Sequence, residues 1–221
     1  GEFSKHWDRI DILCPKSPLG NRQAGTHQPF PNVFFHPSAL GRWYQPLWIY
    51  RKGRELCRMH RHAVMTVHEY PPFYNGIGAW LLARSAGIPF VLEIHHIVGW
   101  PMPASMSETL GLYCSRWVLP REAHRATAVR VVNREVRTLL CSWGVDPVKV
   151  SVVPSFYLDR SILVRDPAIR PAVDLVFCGR LVANKGLFEL LEACSGLSMT
   201  LLVIGDGPLR SAAEARVRAL G

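Results

Sequence analysis

The 221-residue sequence lacks any uncharged apolar run of the roughly 18 residues that a membrane-spanning helix needs. It also lacks the basic, apolar and small-residue opening of a signal peptide. Its six cysteines include no Cys-x-x-Cys pair, which argues against a disulfide framework and a zinc site. We therefore predict a cytoplasmic protein with reduced, core cysteines: Cys14, Cys57, Cys114, Cys141, Cys178 and Cys194.

Two motifs of other chemistries are missing as well. No Gly-x4-Gly-Lys-Ser/Thr occurs, which excludes a phosphate-binding loop of that type. His68-Glu69 resembles the start of a zinc-protease motif, but Pro72 stands where the second histidine is needed, and Pro71-Pro72 forbids the helix. No metal site is predicted, and residues 67–80 form either a packed loop or part of an acceptor pocket.

An acidic surplus is also absent, since the formal net charge is +9, most of it within residues 1–160. A basic surface suits nucleotides, phosphorylated substrates, acidic lipid head groups or nucleic acid, and charge alone does not choose among them. No nucleic-acid-binding motif accompanies the charge. The basic amphipathic stretch 48–62 predicts either a solvated helix face or a face that rests on anionic lipid at the inner side of a membrane.

What the sequence has is an alternation of short apolar runs and helix-compatible segments. Continuous apolar runs of this kind are typical of parallel strands covered by helices on both faces. The fold class predicted is α/β, with Rossmann-like doubly wound parallel sheets. Strands are predicted at 9–14, 32–36, 63–67, 89–94, 128–132, 149–153, 174–178 and 199–204, and helices at 47–61, 76–86, 105–118, 133–142, 186–194 and 208–220.

A stretch with three prolines and no clear period, residues 154–171, predicts a linker between two domains. We expect an N-terminal domain over 1–158, a linker over 159–171 and the start of a C-terminal domain over 172–221. The last of these is too small to bury a stable sheet alone, which predicts a truncated domain.

The stretch GRLVANKG, residues 179–186, places charge where a predicted strand ends and a helix begins. Gly179 and Arg180 follow the strand directly, at the edge where open α/β sheets bind ligands, and Lys185 precedes the helix. A guanidinium and an ammonium at a helix N-terminus predict a pyrophosphate site that needs no metal. The alternative is that Arg180 and Lys185 are ordinary loop charges. For Gly205, in the later Gly-Asp-Gly-Pro, the alternative to a ligand contact is a plain tight turn.

Together, VFCGRLVANKGLFELLEA and LLVIGDGPLR resemble the opening of the C-terminal domain of family-4 glycosyltransferases, which have the two-Rossmann-domain (GT-B) fold. The similarity extends upstream over most of residues 60–221. The family's Pro-Asn-Gly-Val-Asp turn reads Pro-Ser-Phe-Tyr-Leu-Asp at residues 154–159, so a ligand role for that turn is in doubt.

The resemblance implies a retaining, metal-independent enzyme of the hexosyltransferase kind, with no cofactor. It would move a sugar from a nucleotide-diphosphate-sugar donor to a sugar or lipid-linked acceptor. Arg180 and Lys185 would hold the donor's diphosphate, beside Gly179 and Gly205, and His95 would contact the transferred sugar as the catalytic residue. A structural or surface role remains the alternative for His95.

Compared with the family, the chain opens within the first helix and second strand and stops before a Glu-x7-Glu segment. This predicts a fold truncated at both ends and a fragment that is inactive by itself. Two other functions stay open: a non-catalytic sugar-nucleotide or anion-binding module, and an epimerase of the same architecture.

Overall fold

The computed structural model of the chain describes residues 2–15, 26–39, 41–155, 164, 168 and 170–220. The chain divides into two compact units. The first comprises Gly1–Val98 and Leu110–Ser155, and the second comprises Gly99–Thr109 and Phe156–Gly221. The predicted linker 159–171 lies mostly outside the described residues, so the predicted domain boundaries stay a prediction.

The described part of the first unit contains two sheets. One has the order β1-β3-β2, in which β1 (Ile10–Cys14) and β3 (Val33–Pro37) are parallel and β2 (His27–Phe30) is antiparallel to β3. The other is wholly parallel, with the order β4-β5-β6-β7: β4 (Met65–His68), β5 (Phe90–Ile94), β6 (Ala128–Val131) and β7 (Val150–Val152). The carboxyl ends of these four strands therefore meet at one edge.

Helices follow the strands, and local signals define their ends. The helices are α1 (Gln45–Met59), α2 (Tyr74–Ala86), α3 (Met106–Arg125) and α4 (Arg134–Ser142). The Asn133 side chain accepts a hydrogen bond from the Val136 backbone N–H at 2.8 Å and caps α4. Gly87, at a φ of 68°, ends α2 in the left-handed conformation that glycine adopts without strain.

Two glycines let α1 and α2 pack closely in the first unit. A side chain at Gly53 would overlap Leu82, and one at Gly78 would crowd Ile49 and Pro46. Leu82 and Ile49 are themselves buried. The side of α1 that carries Ile49 and Gly53 is therefore packed against α2 in the core of the unit.

The second unit has a parallel pair of strands, β8 (Leu175–Cys178) and β9 (Leu201–Ile204), with helices α5 (Leu187–Cys194) and α6 (Arg210–Leu220). Its core contains the buried side chains of Leu181, Leu187, Leu191 and Ala213. The small size of this core agrees with the expectation that two strands bury little apolar area.

The α/β class with parallel, Rossmann-like sheets is confirmed, and every predicted strand and helix has a counterpart. Strand β2 was not predicted, because its sequence HQPF is exposed along its whole length and carries no apolar alternation. Helix α3 runs through Pro120 to Arg125, beyond the predicted end at 118.

All six cysteines are free thiols. The prediction that they lie in the core is wrong for Cys114 and Cys178, which are exposed. Cys114 lies on the outward side of α3, and Cys178 is exposed together with Val176 in the alternating pattern of β8. No helix in the described ranges is long and apolar enough to cross a membrane.

Candidate functional site

In the second unit, the two loops that leave the carboxyl ends of β8 and β9 are joined by backbone hydrogen bonds. Gly179 N–H donates to Ile204 C=O at 3.0 Å, and Leu181 N–H donates to Asp206 C=O at 2.9 Å. The Leu209 N–H donates to Leu181 C=O at 3.1 Å. The loops thus extend the strand pairing past the end of the sheet and hold the corner at residues 179–181 in a fixed position.

The Gly-x-Gly of the second loop is explained by this pairing. A Cβ on Gly205 would overlap the carbonyl oxygen of Gly179, and a Cβ on Gly207 would overlap the backbone of Leu181. The loop pairing therefore explains the glycine at position 205 without a ligand, and the predicted ligand contact of Gly205 stays a prediction.

Arg180 and Lys185 are both exposed on this corner, on either side of the buried Leu181. Neither side chain makes a hydrogen bond or ion pair with any described residue. Lys185 ends a short 3-10 turn (Ala183–Lys185), and Gly186, at a φ of 72°, turns the chain into α5. The corner thus offers two unpaired cations beside a helix N-terminus that has no side-chain cap, with Glu189 in the first turn as its acidic neighbour.

In the first unit, His95 lies at the carboxyl edge of the parallel sheet, where its Nε2 is 3.2 Å from Oε2 of Glu93. A carboxylate accepts only, so Nε2 carries the hydrogen in the neutral ring and Nδ1 is left as an acceptor. Arg130 Nη1 is farther from the same nitrogen, at 3.5 Å, and is bound to Glu93 at 2.5 Å. Glu93 therefore sets the tautomer of His95.

Arg130 links this edge to the chain that follows β7. Its Nε donates to Val153 C=O at 3.2 Å, and its Nη2 donates to Pro154 C=O at 3.3 Å and to Ser155 Oγ at 3.0 Å. With Glu93 as its ion partner, the guanidinium has no free donor side of the kind a phosphate would need. We therefore interpret Arg130 as a structural residue that holds the Glu93 carboxylate in position.

His68, at the end of β4, stacks on His95 with ring centroids 4.0 Å apart. Burial lowers the pKa of His68, and the neighbouring His95 lowers it further. The edge therefore presents two stacked imidazoles, of which His68 is held in the neutral form at physiological pH.

The loop after β4 is packed rather than open. Glu69 is 2% exposed, and its carboxylate accepts from the Tyr70 N–H at 2.8 Å and from the Gly76 N–H in the first turn of α2. Asn75 Nδ2 donates to His68 C=O at 3.0 Å. Of the two readings of residues 67–80, this arrangement supports the packed loop for Glu69 and Asn75.

The basic stretch 48–62 divides between core and solvent. Leu56, an apolar residue of the lipid hypothesis, is buried in the first unit. The outward side forms an open groove lined by Tyr50, Arg51, Arg54, Glu55, Arg58 and Met59. Arg54 donates to Tyr50 Oη at 2.8 Å. The outward side therefore combines these cations with the exposed apolar side chain of Met59.

A family model described as a glycosyl transferase 4-like domain matches residues 5–155, which is more than half of the chain. The chain belongs to this glycosyltransferase family. The predicted family-4 resemblance is thereby confirmed, although the match covers the part of the chain that contains His95 and ends before Arg180.

The fold of this glycosyltransferase-family chain is similar to that of the lipopolysaccharide outer core galactosyltransferase WaaB in its apo form, with a TM-score of 0.52 and 16% identity over 86% of this chain and 50% of that one. The other similar structures include two UDP-N-acetylglucosamine 2-epimerases. The one from Rickettsia bellii has a TM-score of 0.48 and 13% identity over 96% of this chain and 65% of that one.

The epimerase from Methanocaldococcus jannaschii has a TM-score of 0.46 and 10% identity over 96% of this chain and 68% of that one. The glycosyltransferase-family chain thus spans from half to about two thirds of the length of these structures. No curated protein matches it.

Sequence reasoning proposed His95 as a site residue but did not identify the side chains that position it in this glycosyltransferase-family chain. Glu93 and Arg130 are paired across β5 and β6, and His68 is paired with Glu93 across β4 and β5. The available signal was the charge within two otherwise apolar strands, VLEI and AVRV. A buried strand carries a carboxylate or guanidinium only when a partner compensates for it.

Proposed function

We propose that this protein acts as a retaining glycosyltransferase that moves a hexosyl group from a nucleotide-diphosphate sugar to a sugar or lipid-linked acceptor. The proposal includes a cytoplasmic location and no requirement for a metal or other cofactor. Membership of the glycosyltransferase family supports the reaction class. The diphosphate of the donor is argued from Arg180 and Lys185, whereas the acceptor class and the retention of configuration are proposed from the resemblance to family-4 glycosyltransferases.

The observation that carries the proposal is the pair of unpaired cations at the carboxyl end of β8. In the same unit, Arg216 pairs with Glu192 and Arg210 with Glu214. Arg180 and Lys185 have no such partner among the described residues. They are therefore available to an anion from outside the chain, and a forked guanidinium with a mobile ammonium suits a diphosphate.

Cations at this place favour transfer as well as binding. As the bond between the sugar and the diphosphate breaks, negative charge grows on the leaving diphosphate. Fixed positive groups stabilise that state more than the ground state, and the difference lowers the barrier. The backbone pairing of the two loops holds the backbone of Arg180 at the carboxyl end of β8.

His95 contributes in the first unit by hydrogen bonding to the transferred sugar. Glu93 binds the Nε2 side of the ring at 3.2 Å, which leaves Nδ1 to accept a hydrogen bond from a sugar hydroxyl. His68 covers one face of the ring. The imidazole is therefore held in one orientation by a carboxylate and a stacked ring.

Turnover, measured in the full-length protein that the gene encodes, tests the proposal. Each charge-assisted hydrogen bond contributes about 1.5–3 kcal/mol, so Arg180→Ala and Lys185→Ala should each lower kcat/KM roughly tenfold to a hundredfold. The matched control is Arg218→Ala, an exposed arginine on α6 of the same unit, which should leave turnover unchanged. The assay follows release of nucleoside diphosphate from a panel of UDP- and GDP-sugars with sugar and lipid-linked acceptors.

Equal turnover of the two variants and the control would contradict the proposed role of the cations. Binding of nucleoside diphosphate without transfer from any donor would instead indicate a non-catalytic binding module.

A further inference from the structure

Helices α2 and α3 carry large apolar side chains that are exposed, which is unusual for the solvent side of a helix. On α2 these are Ile77 and Leu81, four residues apart. On α3 they are Met106, Leu110, Tyr113 and Trp117, of which Tyr113 is 67% exposed and Trp117, four residues later, is 64% exposed. A spacing of four residues puts each pair on one face of its helix.

The two pairs belong to neighbouring helices of the first unit. The Arg125 guanidinium on α3 lies 4.3 Å from the ring centroid of Trp80 on α2. Near the start of α2, a side chain on Gly76 would overlap Glu122 of α3. Because the helices are in contact at these two places, their outward sides adjoin.

The charge on this surface has a single sign. Helix α2 contains no Asp or Glu and ends with the exposed Arg84. In α3, which is described over its full length, the sole carboxylate from Leu110 onward is Glu122, and it is 4% exposed. Arg121 of α3 is exposed and holds its guanidinium 4.0 Å from the ring centroid of Trp117.

We propose that this helix-pair surface, defined by Ile77, Leu81, Arg84, Tyr113, Trp117 and Arg121, binds an anionic lipid bilayer. Tryptophan and tyrosine favour the boundary between head groups and acyl chains. Arginines beside them attract acidic head groups, and neither α2 nor α3 from Leu110 onward adds an exposed carboxylate that would repel them. The proposal does not depend on the proposed sugar transfer.

The helix-pair surface differs from the lipid hypothesis based on residues 48–62. In α1, Ile49 and Leu56 are buried, and the exposed apolar residues Leu47 and Met59 lie near opposite ends of the helix. The helix-pair surface instead has its exposed apolar side chains one helical turn apart, beside its cations. Stable attachment of a peripheral protein generally needs apolar insertion together with charge.

The test is co-sedimentation of the full chain with vesicles of phosphatidylcholine, alone or mixed with phosphatidylglycerol. We expect binding to the mixed vesicles and much weaker binding to phosphatidylcholine alone. The double variant Tyr113→Gln/Trp117→Gln should weaken binding to the mixed vesicles about tenfold or more. Arg121→Gln should weaken it about fivefold, since one arginine near such a surface contributes about a factor of that size.

Three controls make the outcome decisive. Val148→Gln changes a residue that is 90% exposed elsewhere in the first unit and should leave binding unchanged. Far-ultraviolet circular dichroism checks that the variants are folded. Arg51→Gln/Arg58→Gln removes the cations of α1. Loss of binding in that variant, with full binding in Tyr113→Gln/Trp117→Gln, would overturn the proposal.

Two other results would also overturn it. One is equal binding to neutral and mixed vesicles. The other is a dimer of the wild-type chain in light scattering that disappears in Tyr113→Gln/Trp117→Gln, which would assign the surface to self-association. Because no nucleotide is present in these experiments, failure here leaves the proposed sugar transfer to its own test.

Discussion

Gly205 and Gly207 show that the glycines of a predicted ligand-binding motif can be required for packing alone. Their missing side chains make room for the backbone at Gly179 and Leu181. The pairing of the two loops fixes the corner that presents Arg180. The glycines therefore support the proposed site even if no ligand touches them.

Replacement of Gly205 by alanine should destabilise the second unit. The added Cβ would collide with a carbonyl oxygen that cannot move without breaking the loop pairing, and we expect a loss of about 3 kcal/mol. Gly179→Ala is the matched control, because its Cβ would meet the Phe177 ring at an ordinary 3.7 Å. Hydrogen exchange of the β8 and β9 amides measures the difference, and equal protection in the two variants would contradict the explanation.

His95 offers a second test of a single side chain. Glu93 lies 3.2 Å from Nε2, so the neutral ring should carry its hydrogen on Nε2. Nitrogen NMR of the labelled chain, with the signal assigned by His95→Gln, should show that tautomer. In Glu93→Gln the preference should weaken, because an amide can donate as well as accept. A ring protonated mainly on Nδ1 in the wild type would contradict the proposed role of that atom.

Two buried carboxyl groups lie beside Gly76 of α2: Glu69, in the loop after β4, and Glu122, in α3. Burial raises the pKa of Glu69 to about 7. Burial, with the nearby charge of Glu69, raises that of Glu122 to about 9. Glu69 accepts two backbone N–H groups, whereas no described donor reaches either oxygen of Glu122. Glu122 is thus the protonated member at neutral pH.

The stability of the first unit should therefore fall as pH rises. In the unfolded chain these carboxyls lose their protons near 4.5, whereas the folded protein retains them to higher pH. The folded state binds more protons, so its stability relative to the unfolded chain is greatest below pH 4.5 and decreases up to about pH 9. Glu122→Gln, which is neutral throughout, should reduce the decrease.

Urea unfolding between pH 5 and pH 9 measures this effect. Glu135→Gln is the control, since Glu135 is exposed in the first turn of α4 and should leave the pH dependence unchanged. A wild-type slope that Glu122→Gln does not change would show that the pair holds no proton in the folded protein.

For the molecule as a whole, strand and helix positions were predictable because burial leaves a pattern in the sequence. The runs VLEI and LLVI needed no knowledge of their neighbours. The pairing of Glu93 with Arg130 could not be predicted, because it depends on the register between β5 and β6. Strand β2 was missed for a related reason, since it is held by backbone pairing with β3 and buries little of its own surface.

Site residues divide in the same way. The positions of Arg180 after β8 and of Lys185 before α5 were predictable, because the ends of apolar strands and helices are visible in the sequence, whereas their role stays a prediction. His68 was noticed only for a metal motif that Pro72 excludes, and its stacking on His95 comes from the neighbouring positions of β4 and β5. The sequence thus predicts which residues lie at the end of a strand. It does not predict which side chains on neighbouring strands contact each other.

The central claim is that Arg180 and Lys185 hold one diphosphate, and calorimetric titration of the full chain with UDP, GDP and inorganic pyrophosphate tests it most directly. We predict that the wild type binds at least one of these ligands. Arg180→Ala/Lys185→Ala should weaken that binding by roughly a hundredfold or more, whereas Arg218→Ala should not change it. Unchanged affinity in the double variant would contradict the claim.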